Sequence, residues 1–159
     1  MDIKTQKKAG TFQLNKLEPI HNWYSYVEGY SSCLVVDELK KLKNIKTIYD
    51  PFGGTGTTPL VGVQENITSY YSESNPFMLS VIDAKINSVK NLIENGNGSK
   101  YLNEFYKKIE EQNFTYDNQK ITWDGFEKYF NQDVLYYVLK IKNMINDVSD
   151  EDSKKILMV

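Results

Sequence analysis

The stretch YDPFGGTGTTPL, Tyr49–Leu60, has the composition of a loop that binds a polar group through its backbone. A β-rich run ends at Asp50-Pro51, a cluster of glycines follows, and Thr58-Pro59 has the form of a helix N-cap with proline at the first helical position. Glycine lets backbone amides approach a ligand closely, and a helix N-terminus adds about half a positive charge. The pattern predicts a pocket for a polar ligand at the end of a strand, and we call residues 50–57 the Gly/Thr loop.

Two kinds of nucleotide-binding loop do not fit this stretch. A P-loop requires Lys directly after its last glycine, and no Lys follows Gly56. A dinucleotide-binding loop that began at Gly54 would need its third glycine at position 59, which is Pro59. The loop therefore points to a ligand other than a nucleoside triphosphate or a dinucleotide.

The composition is that of one globular domain without a general attraction for nucleic acid. The chain has 159 residues, a formal net charge of −2 and 19 basic residues, all of them Lys. Without Arg, no guanidinium is present to read guanine or to clamp phosphate. The single Cys33 and the single His21 exclude an internal disulfide and a Cys/His zinc cluster. We expect Cys33 to be a buried apolar residue and His21 to make a structural hydrogen bond. No secretory signal or membrane-spanning run is present, so we expect a cytoplasmic protein with no metal.

Hydrophobic periodicity predicts helices and strands that alternate around the Gly/Thr loop. A helix is predicted over Ser31–Lys43 with Ser31 or Ser32 as its N-cap, and Ile45–Asp50 is predicted to be a buried strand. A short helix with an unfavourable Gly62 follows the loop, and Ile67–Ser74 forms a second strand. Asn75-Pro76 opens a helix whose predicted buried face is Phe77, Val81, Ile82, Ile86, Val89 and Ile93. This order predicts an α/β fold with a parallel sheet flanked by helices.

The chain is predicted to have three parts. Residues 1–18 form a weakly ordered polar arm, residues 19–95 form the α/β part, and residues 96–159 form a helical segment that is incomplete at its end. Helices are predicted around 100–113, 123–130 and 131–147, and another element begins after a cap-like Ser149. The predicted apolar face of the third helix is Val134, Leu135, Val138, Leu139, Ile141 and Ile145.

The motif DPFGGTGTT closely resembles the D-P-F-x-G-x-G-T-T loop of S-adenosylmethionine-dependent DNA amino-methyltransferases, which methylate adenine N6 or cytosine N4. In that family the loop holds the methionine part of the cofactor, whose carboxylate and ammonium meet the backbone and the Asp. The resemblance implies a partial Rossmann-like methyltransferase sheet followed by a helical insertion. Carried over by position, the cofactor-binding residues are Asp50, Phe52, Gly53, Gly54, Thr55, Gly56 and Thr57.

Two further stretches carry the same resemblance. In the family, an acidic residue at the end of the next strand accepts the ribose hydroxyls, and here Glu73 of YYSESNPF takes that position, closely followed by Asn75. Because parallel strands end at one edge of a sheet, we expect Asp50 and Glu73 to face the same cleft. Upstream, PIHNWYSYVEGYSSCLV resembles the family segment that folds over the methionine end of the cofactor. This match implies further contacts from Tyr26, Tyr30 and Ser31.

One signature of the family is absent from the sequence. Amino-methyltransferases carry an Asp/Asn/Ser-Pro-Pro-aromatic loop that holds the target amino group of a flipped base, and no two of the four prolines here are adjacent. The resemblance therefore implies the S-adenosylmethionine-binding part of a methyltransferase, with no catalytic residues of its own. Such a part would meet DNA only through a complementing C-terminal chain. We expect the first strand to have an unpaired edge, which favours that partner or a homodimer.

Two other functions stay open at the level of the sequence. An inactive remnant could act as a binding or interaction protein, whereas an adjacent reading frame with the Pro-Pro-aromatic loop would favour a split enzyme. A small-molecule or RNA methyltransferase could also lack that loop. The Asp-Pro-Phe sequence argues against this last alternative, because an acidic-x-Gly loop is commoner in those enzymes.

Overall fold

The computed structural model describes residues 8–96, 99–112 and 114–159 of the chain. The chain divides into two compact units, Met1–Lys90 together with Val159, and Asn91–Met158. We call them the N-terminal unit and the C-terminal unit. Within the described ranges, none of the helices has the length and apolar character that crossing a membrane requires.

The N-terminal unit is an α/β structure built on a two-stranded parallel sheet. Strand β1 (Thr47–Asp50) pairs with β2 (Thr68–Tyr71), with Thr47 opposite Thr68 and Asp50 opposite Tyr71. Helix α1 (Ser32–Lys41) precedes β1, and α2 (Thr57–Gln64) connects the two strands. After β2 come α3 (Pro76–Asp83), a π-helical turn (Ala84–Ser88) and α4 (Val89–Glu94). The predicted parallel α/β arrangement is confirmed.

Gly62 allows α2 to lie directly on one face of this sheet. A Cβ atom added at position 62 would collide with Ser69 Oγ, and it would lie 3.1 Å from the Ile67 carbonyl oxygen and 3.2 Å from Ile48 Cδ1. Only a residue without a side chain permits such a close approach of helix and sheet. The residue that is unfavourable for an isolated helix is therefore required by packing.

The opposite face of the sheet is exposed. Tyr49 and Tyr70 are directly paired in the register, and they are 61% and 60% exposed. The prediction that β1 is a buried strand is therefore wrong for this face. The physical reason is that α2 contacts only the other face, whereas parallel sheets are normally covered on both.

The helix that begins at Asn75-Pro76 starts as predicted, but its buried face differs. Asn75 caps it by accepting a hydrogen bond from the Phe77 amide at 2.9 Å, and Pro76 occupies the first turn. Val81 and Ile82 are buried as predicted. The predicted face is wrong at Phe77 and Ile93, which are exposed, while Lys85, Ser88 and Leu92 are buried. The buried residues follow a regular spacing of three and four positions, so the predicted face lies too far round the helix; they are Met78, Val81, Ile82, Lys85, Ser88 and Leu92.

Helix α2 begins two residues earlier than predicted. Its N-cap is Gly56, which has φ 82°, and Thr57 is the first helical residue, so Thr58 is not the cap. Pro59 still lies in the first turn, where a missing N–H group leaves no helical hydrogen bond unmade. Glycine at the cap reflects the left-handed backbone that this turn requires.

The predicted polar arm is wrong for residues 11–17. A 3₁₀-helix runs over Phe12–Leu17, with Phe12 and Asn15 buried. The Asn15 amide group donates to the Tyr30 carbonyl at 3.0 Å, and its oxygen accepts from the Ser32 amide at 2.7 Å. These bonds satisfy main-chain groups at the start of α1 and fix the segment there. Residues 1–7 lie outside the described residues.

Helix α1 is confirmed, and Ser31 is at its N-cap, although the Ser31 side chain makes no capping hydrogen bond. The prediction of a buried Cys33 is wrong, because its side chain is only half-buried. Partial burial nevertheless raises the pKa of its thiol, and the nearby Asp37 charge adds to this effect.

The C-terminal unit is helical in its described residues. Helix α5 spans Lys100–Glu111, α6 spans Gln132–Asn146 and α7 spans Glu151–Leu157. The predicted helix at 123–130 is wrong, since only a 3₁₀ turn forms at Phe126–Lys128 after Gly125 in a left-handed conformation. Asp150, not Ser149, caps α7 by accepting from the Ser153 amide at 2.7 Å. Of the predicted α6 face, Leu135 and Ile145 are buried, whereas Val134 and Val138 are exposed.

We expect Gly62→Ala to destabilise the protein by about 1–3 kcal/mol, because the added methyl group over-packs the contact between α2 and the sheet. Urea denaturation gives the free energy of unfolding. Gly10→Ala is the matched control, since no atom lies within 4 Å of a Cβ added there. Adding Ser69→Ala to Gly62→Ala should recover part of the loss. Equal stabilities for Gly62→Ala and Gly10→Ala would show that the helix does not rest on the sheet at Gly62.

Candidate functional site

Asp50 at the end of β1 is held inside the protein. Its Oδ2 atom accepts a hydrogen bond from the Tyr30 hydroxyl at 2.7 Å, and its Oδ1 atom accepts from the Phe52 amide at 3.0 Å. Burial raises the pKa of Tyr30 to about 12, so the phenol keeps its proton and donates it. The Tyr30 hydroxyl also contacts Thr58 Oγ1 in the first turn of α2. Asp50 therefore joins the strand end, the Gly/Thr loop and residues 19–35, which we call the upstream aromatic segment.

The glycines of the loop are required by the protein's own side chains. A Cβ atom added at Gly54 would lie 3.2 Å from Tyr26 Cε1. At Gly53 and at Gly56 it would lie 3.2 and 3.1 Å from carbon atoms of Ile82. Gly54 also has φ 52°, and the Gly56 amide closes the turn on the Gly53 carbonyl at 2.8 Å. The backbone is thus approached by a tyrosine ring on one side and an isoleucine on the other.

The carboxylate of Glu73 connects the two strand ends. Its Oε2 atom accepts from the Gly54 amide at 2.7 Å, and its Oε1 atom accepts from the Asn75 amide at 2.8 Å. The amides of Asn75 and Gly54, in that order, hold the pKa of Glu73 below its usual value. The Gly53 amide adds a main-chain bond to the Ser72 carbonyl at 2.8 Å. The loop amide therefore binds a carboxylate in this structure, and that carboxylate belongs to the protein.

Two aromatic side chains border this part of the loop. Tyr26 is half-buried against Gly54, and its hydroxyl donates to Glu28 Oε2 at 3.1 Å. Phe52 is 83% exposed, although Asp50, two residues earlier at the end of β1, is buried. Together with the Gly54 amide and Glu73, they form a half-open surface with an aromatic and an anionic part.

Three of the predicted site residues have their side chains committed to internal contacts. The buried Ser31 hydroxyl donates to the Thr11 carbonyl and accepts from the Leu14 amide. Thr57 Oγ1 accepts from Asn15 Nδ2 at 3.2 Å, and Thr55 is buried. The side chain of a fourth, Asn75, caps α3. The side chains of Ser31, Thr57 and Asn75 are therefore held by hydrogen bonds within the protein.

Sequence reasoning missed the buried Lys85, which contacts the loop from behind. Its Nζ atom donates to the Thr55 carbonyl at 3.2 Å and to the His21 carbonyl at 3.4 Å. Burial lowers the pKa of Lys85 to about 8. A signal was present in the sequence, because Lys85 lies three residues after Ile82 and four after Val81, on the helix face that these two residues bury. Among the described residues, no group of three or more His, Cys, Asp or Glu side chains is arranged to hold a metal ion.

His21 is buried, as a structural histidine should be. Burial lowers its pKa to about 4, the charge of Lys85 acts in the same direction, and a side-chain hydrogen bond with Gln64 opposes them. Its Nε2 atom is buried without a hydrogen-bond partner. A neutral imidazole is therefore part of the folded core.

The Gly/Thr loop at the end of one parallel strand is bonded to a carboxylate at the end of the next strand. Comparison with known proteins gives the class of protein. Over 138 residues the chain is 32% identical to the Type II methyltransferase M.BsoBI of Geobacillus stearothermophilus, a match that covers 82% of this chain and 26% of that protein. Over 120 residues it is 29% identical to the Type II methyltransferase M.MvaI of Kocuria varians, covering 72% of this chain and 26% of that protein.

The chain is therefore a relative of the Type II methyltransferases, and the resemblance to DNA amino-methyltransferases is confirmed. It spans about a quarter of the length of these two curated relatives. No protein-family model matches the chain, and no solved structure does.

We expect the stability of the protein to fall as the pH falls below the ordinary pKa of histidine. The folded-state pKa of His21, about 4, is below the ordinary value of 6.5, so between these values the proton binds preferentially to the unfolded chain. Between pH 7 and pH 5 this linkage costs about 2 kcal/mol. Urea denaturation of the wild type and of His21→Gln over this range measures it, since other groups titrate in both proteins. Parallel pH profiles for the two proteins would contradict the assignment of a buried neutral His21.

Proposed function

We propose that this chain is the S-adenosylmethionine-binding portion of a DNA (adenine-N6 or cytosine-N4) methyltransferase, and that it adopts part of the Rossmann-like sheet of such enzymes. The observation that carries the proposal is the hydrogen bond from the Gly54 amide to Glu73 at 2.7 Å. It brings the loop and the strand-end carboxylate, each predicted to bind the cofactor, to a single place. The similarity to two Type II methyltransferases supports the same function.

The residues present fit this cofactor. The Gly54 amide already binds a carboxylate group, which is the chemistry needed for the amino-acid tail. Glu73 is half-buried and anionic, with lone pairs left to accept ribose hydroxyls. The Tyr26 and Phe52 rings offer aromatic surface to a sulfonium cation and to apolar parts of the ligand. When bound, the cofactor supplies an electrophilic methyl group.

The other proposed residues act through the shape of the loop. Asp50 fixes the start of the loop through Phe52 and Tyr30, and it contributes negative charge near the expected ammonium group. Gly53 and Gly56 form the turn that presents Gly54, while Ser31, Thr55, Thr57 and Asn75 hold the surrounding backbone. We place these last four among the supporting residues.

The internal bond to Glu73 also favours weak binding by the chain alone. A ligand carboxylate that binds the Gly54 amide must replace the Glu73 carboxylate, so the net gain is only the difference between two similar hydrogen bonds. Affinity must then come from contacts outside the loop. Those contacts are expected from a second polypeptide.

The proposed partner is a complementing C-terminal methyltransferase chain. The sequence has no adjacent prolines and no Arg, so it lacks the residues that would hold the target base and read DNA. Both outer edges of the described sheet are unpaired, and its Tyr49–Tyr70 face is exposed. Edges and faces of this kind favour pairing with further strands and helices. DNA would then be contacted through the partner chain.

Isothermal titration calorimetry with S-adenosylhomocysteine tests the cofactor proposal. We expect binding by the wild type in the micromolar to millimolar range, and a loss of affinity of about tenfold or more in Glu73→Gln, which keeps the shape but removes the charge. Glu65→Gln, at an exposed position after α2, is the control and should bind like the wild type. Absence of heat at millimolar ligand with folded wild-type protein would contradict the proposal.

Co-expression with the product of an adjacent reading frame that carries a Pro-Pro-aromatic loop tests the partner. We expect a stable complex that transfers methyl groups to DNA, and loss of the complex in the double variant Tyr49→Lys, Tyr70→Lys. Tyr106→Lys is the control, because Tyr106 is 59% exposed in the C-terminal unit. A complex without methyl transfer would favour the alternative of a non-catalytic interaction protein, and a homodimer of the chain alone would assign the sheet face to a second copy.

A further inference from the structure

Lys85 is an unusual residue for the interior of this unit. It is 2% exposed, and its two hydrogen bonds go to the neutral main-chain carbonyls of Thr55 and His21. No ion pair to its ammonium group is present among the described residues. A buried charge without a counter-ion destabilises the fold. A favourable effect of the hydrogen bonds to the two carbonyls therefore has to account for a lysine at this position.

The helix departs from regular geometry at the position of Lys85. Ala84–Ser88 form a π-helical turn, which is less favourable than an α-helical turn and occurs frequently at functional sites. Lys85 lies three residues after Ile82 and four after Val81, so it is on the buried face of the helix, and Ser88 follows on the same face. The irregular backbone and the buried amine therefore occur at the same place in the helix.

We propose that Lys85 is a positioning residue that sets the conformation of the Gly/Thr loop for ligand binding. Its Nζ atom ties the loop, through the Thr55 carbonyl, to the start of the upstream aromatic segment, through the His21 carbonyl. The Thr55 carbonyl belongs to the same peptide group as the Gly56 amide, which closes the turn on the Gly53 carbonyl. Fixing that peptide fixes the direction of the Gly54 amide at the centre of the turn. The inference rests on the proposed function only where it concerns the identity of the ligand.

The position of Lys85 also suits a loop that binds a carboxylate. The front of the loop binds the Glu73 carboxylate, and the ammonium group bonds to the back of the same loop. The titratable group that faces Lys85 is His21, which is neutral in the folded protein near pH 7. A positive charge at the back of the loop favours an anion at its front in a chain that contains no Arg.

Amide hydrogen exchange followed by NMR tests this role without any ligand. In Lys85→Met, which keeps the length of the side chain and removes the donors, we expect exchange at the Gly56 amide to accelerate at least tenfold relative to the β2 amides. Lys90→Met, an exposed lysine close by in the sequence, controls for loss of charge. Met78→Ala, a buried residue of α3, controls for general destabilisation. Equal acceleration at Gly56 and in β2 would overturn the proposal.

The wild type provides a measurement that does not depend on the folding of a variant. The ¹³C chemical shift of the Thr55 carbonyl should change with pH around a midpoint near 8, the pKa of Lys85, and well separated from that of His21 near 4. A Thr55 carbonyl shift that stays constant between pH 6 and about pH 11, the range in which a lysine titrates, would overturn the proposal.

Calorimetry separates this inference from the proposed function. A loss of S-adenosylhomocysteine affinity of tenfold or more in Lys85→Met, with the affinity of Lys90→Met unchanged, supports both the positioning role and the proposed cofactor. Exchange at Gly56 that accelerates selectively in Lys85→Met, while the wild type binds no S-adenosylhomocysteine, supports the role of Lys85 and rejects the proposed cofactor. If Lys85→Met accelerates exchange at Gly56 selectively but binds S-adenosylhomocysteine as tightly as the wild type, the positioning role is overturned.

Discussion

The hydrogen bond between the Gly54 amide and the Glu73 carboxylate is the contact on which the site depends. It connects a loop after β1 to the residues after β2, and it can form only because the two strands run parallel and end at the same edge. Parallel pairing in turn depends on α2, which must lie close enough to the sheet to connect the two strands over a short distance. Gly62 provides that closeness, so a helix glycine far from the ligand surface helps to shape it.

The same loop shows that a glycine-rich motif can have an internal cause. Gly54 and Gly56 have left-handed backbones and are approached by Tyr26 and Ile82, respectively, and Ile82 also approaches Gly53. A ligand is not needed to explain the absence of side chains at these three positions. What favours a ligand is the chemistry that remains exposed, a main-chain amide that binds carboxylate beside an anionic side chain and two aromatic rings.

Local signals in the sequence predicted the elements and the motif well. Asn75-Pro76 specified a helix start because capping acts through neighbouring residues, and β-rich runs specified both strands. The failures required information from distant parts of the chain. The π-helical turn at Ala84–Ser88, the amide group of Asn15 that bonds to residues near position 31, and the exposure of Tyr49 all depend on tertiary packing or on its absence. Periodicity within one segment contains none of this information.

A titration of the ¹⁵N-labelled protein with S-adenosylhomocysteine, followed by NMR, tests the central claim most directly. The account predicts saturable shifts of the Gly54 and Asn75 amides, since both are bonded to Glu73 and both lie where the ligand would bind. The amides of α5, in the C-terminal unit, should not move. If saturating ligand leaves the Gly54 amide unshifted, or shifts only amides outside the Gly/Thr loop and the end of β2, the proposed cofactor site is contradicted.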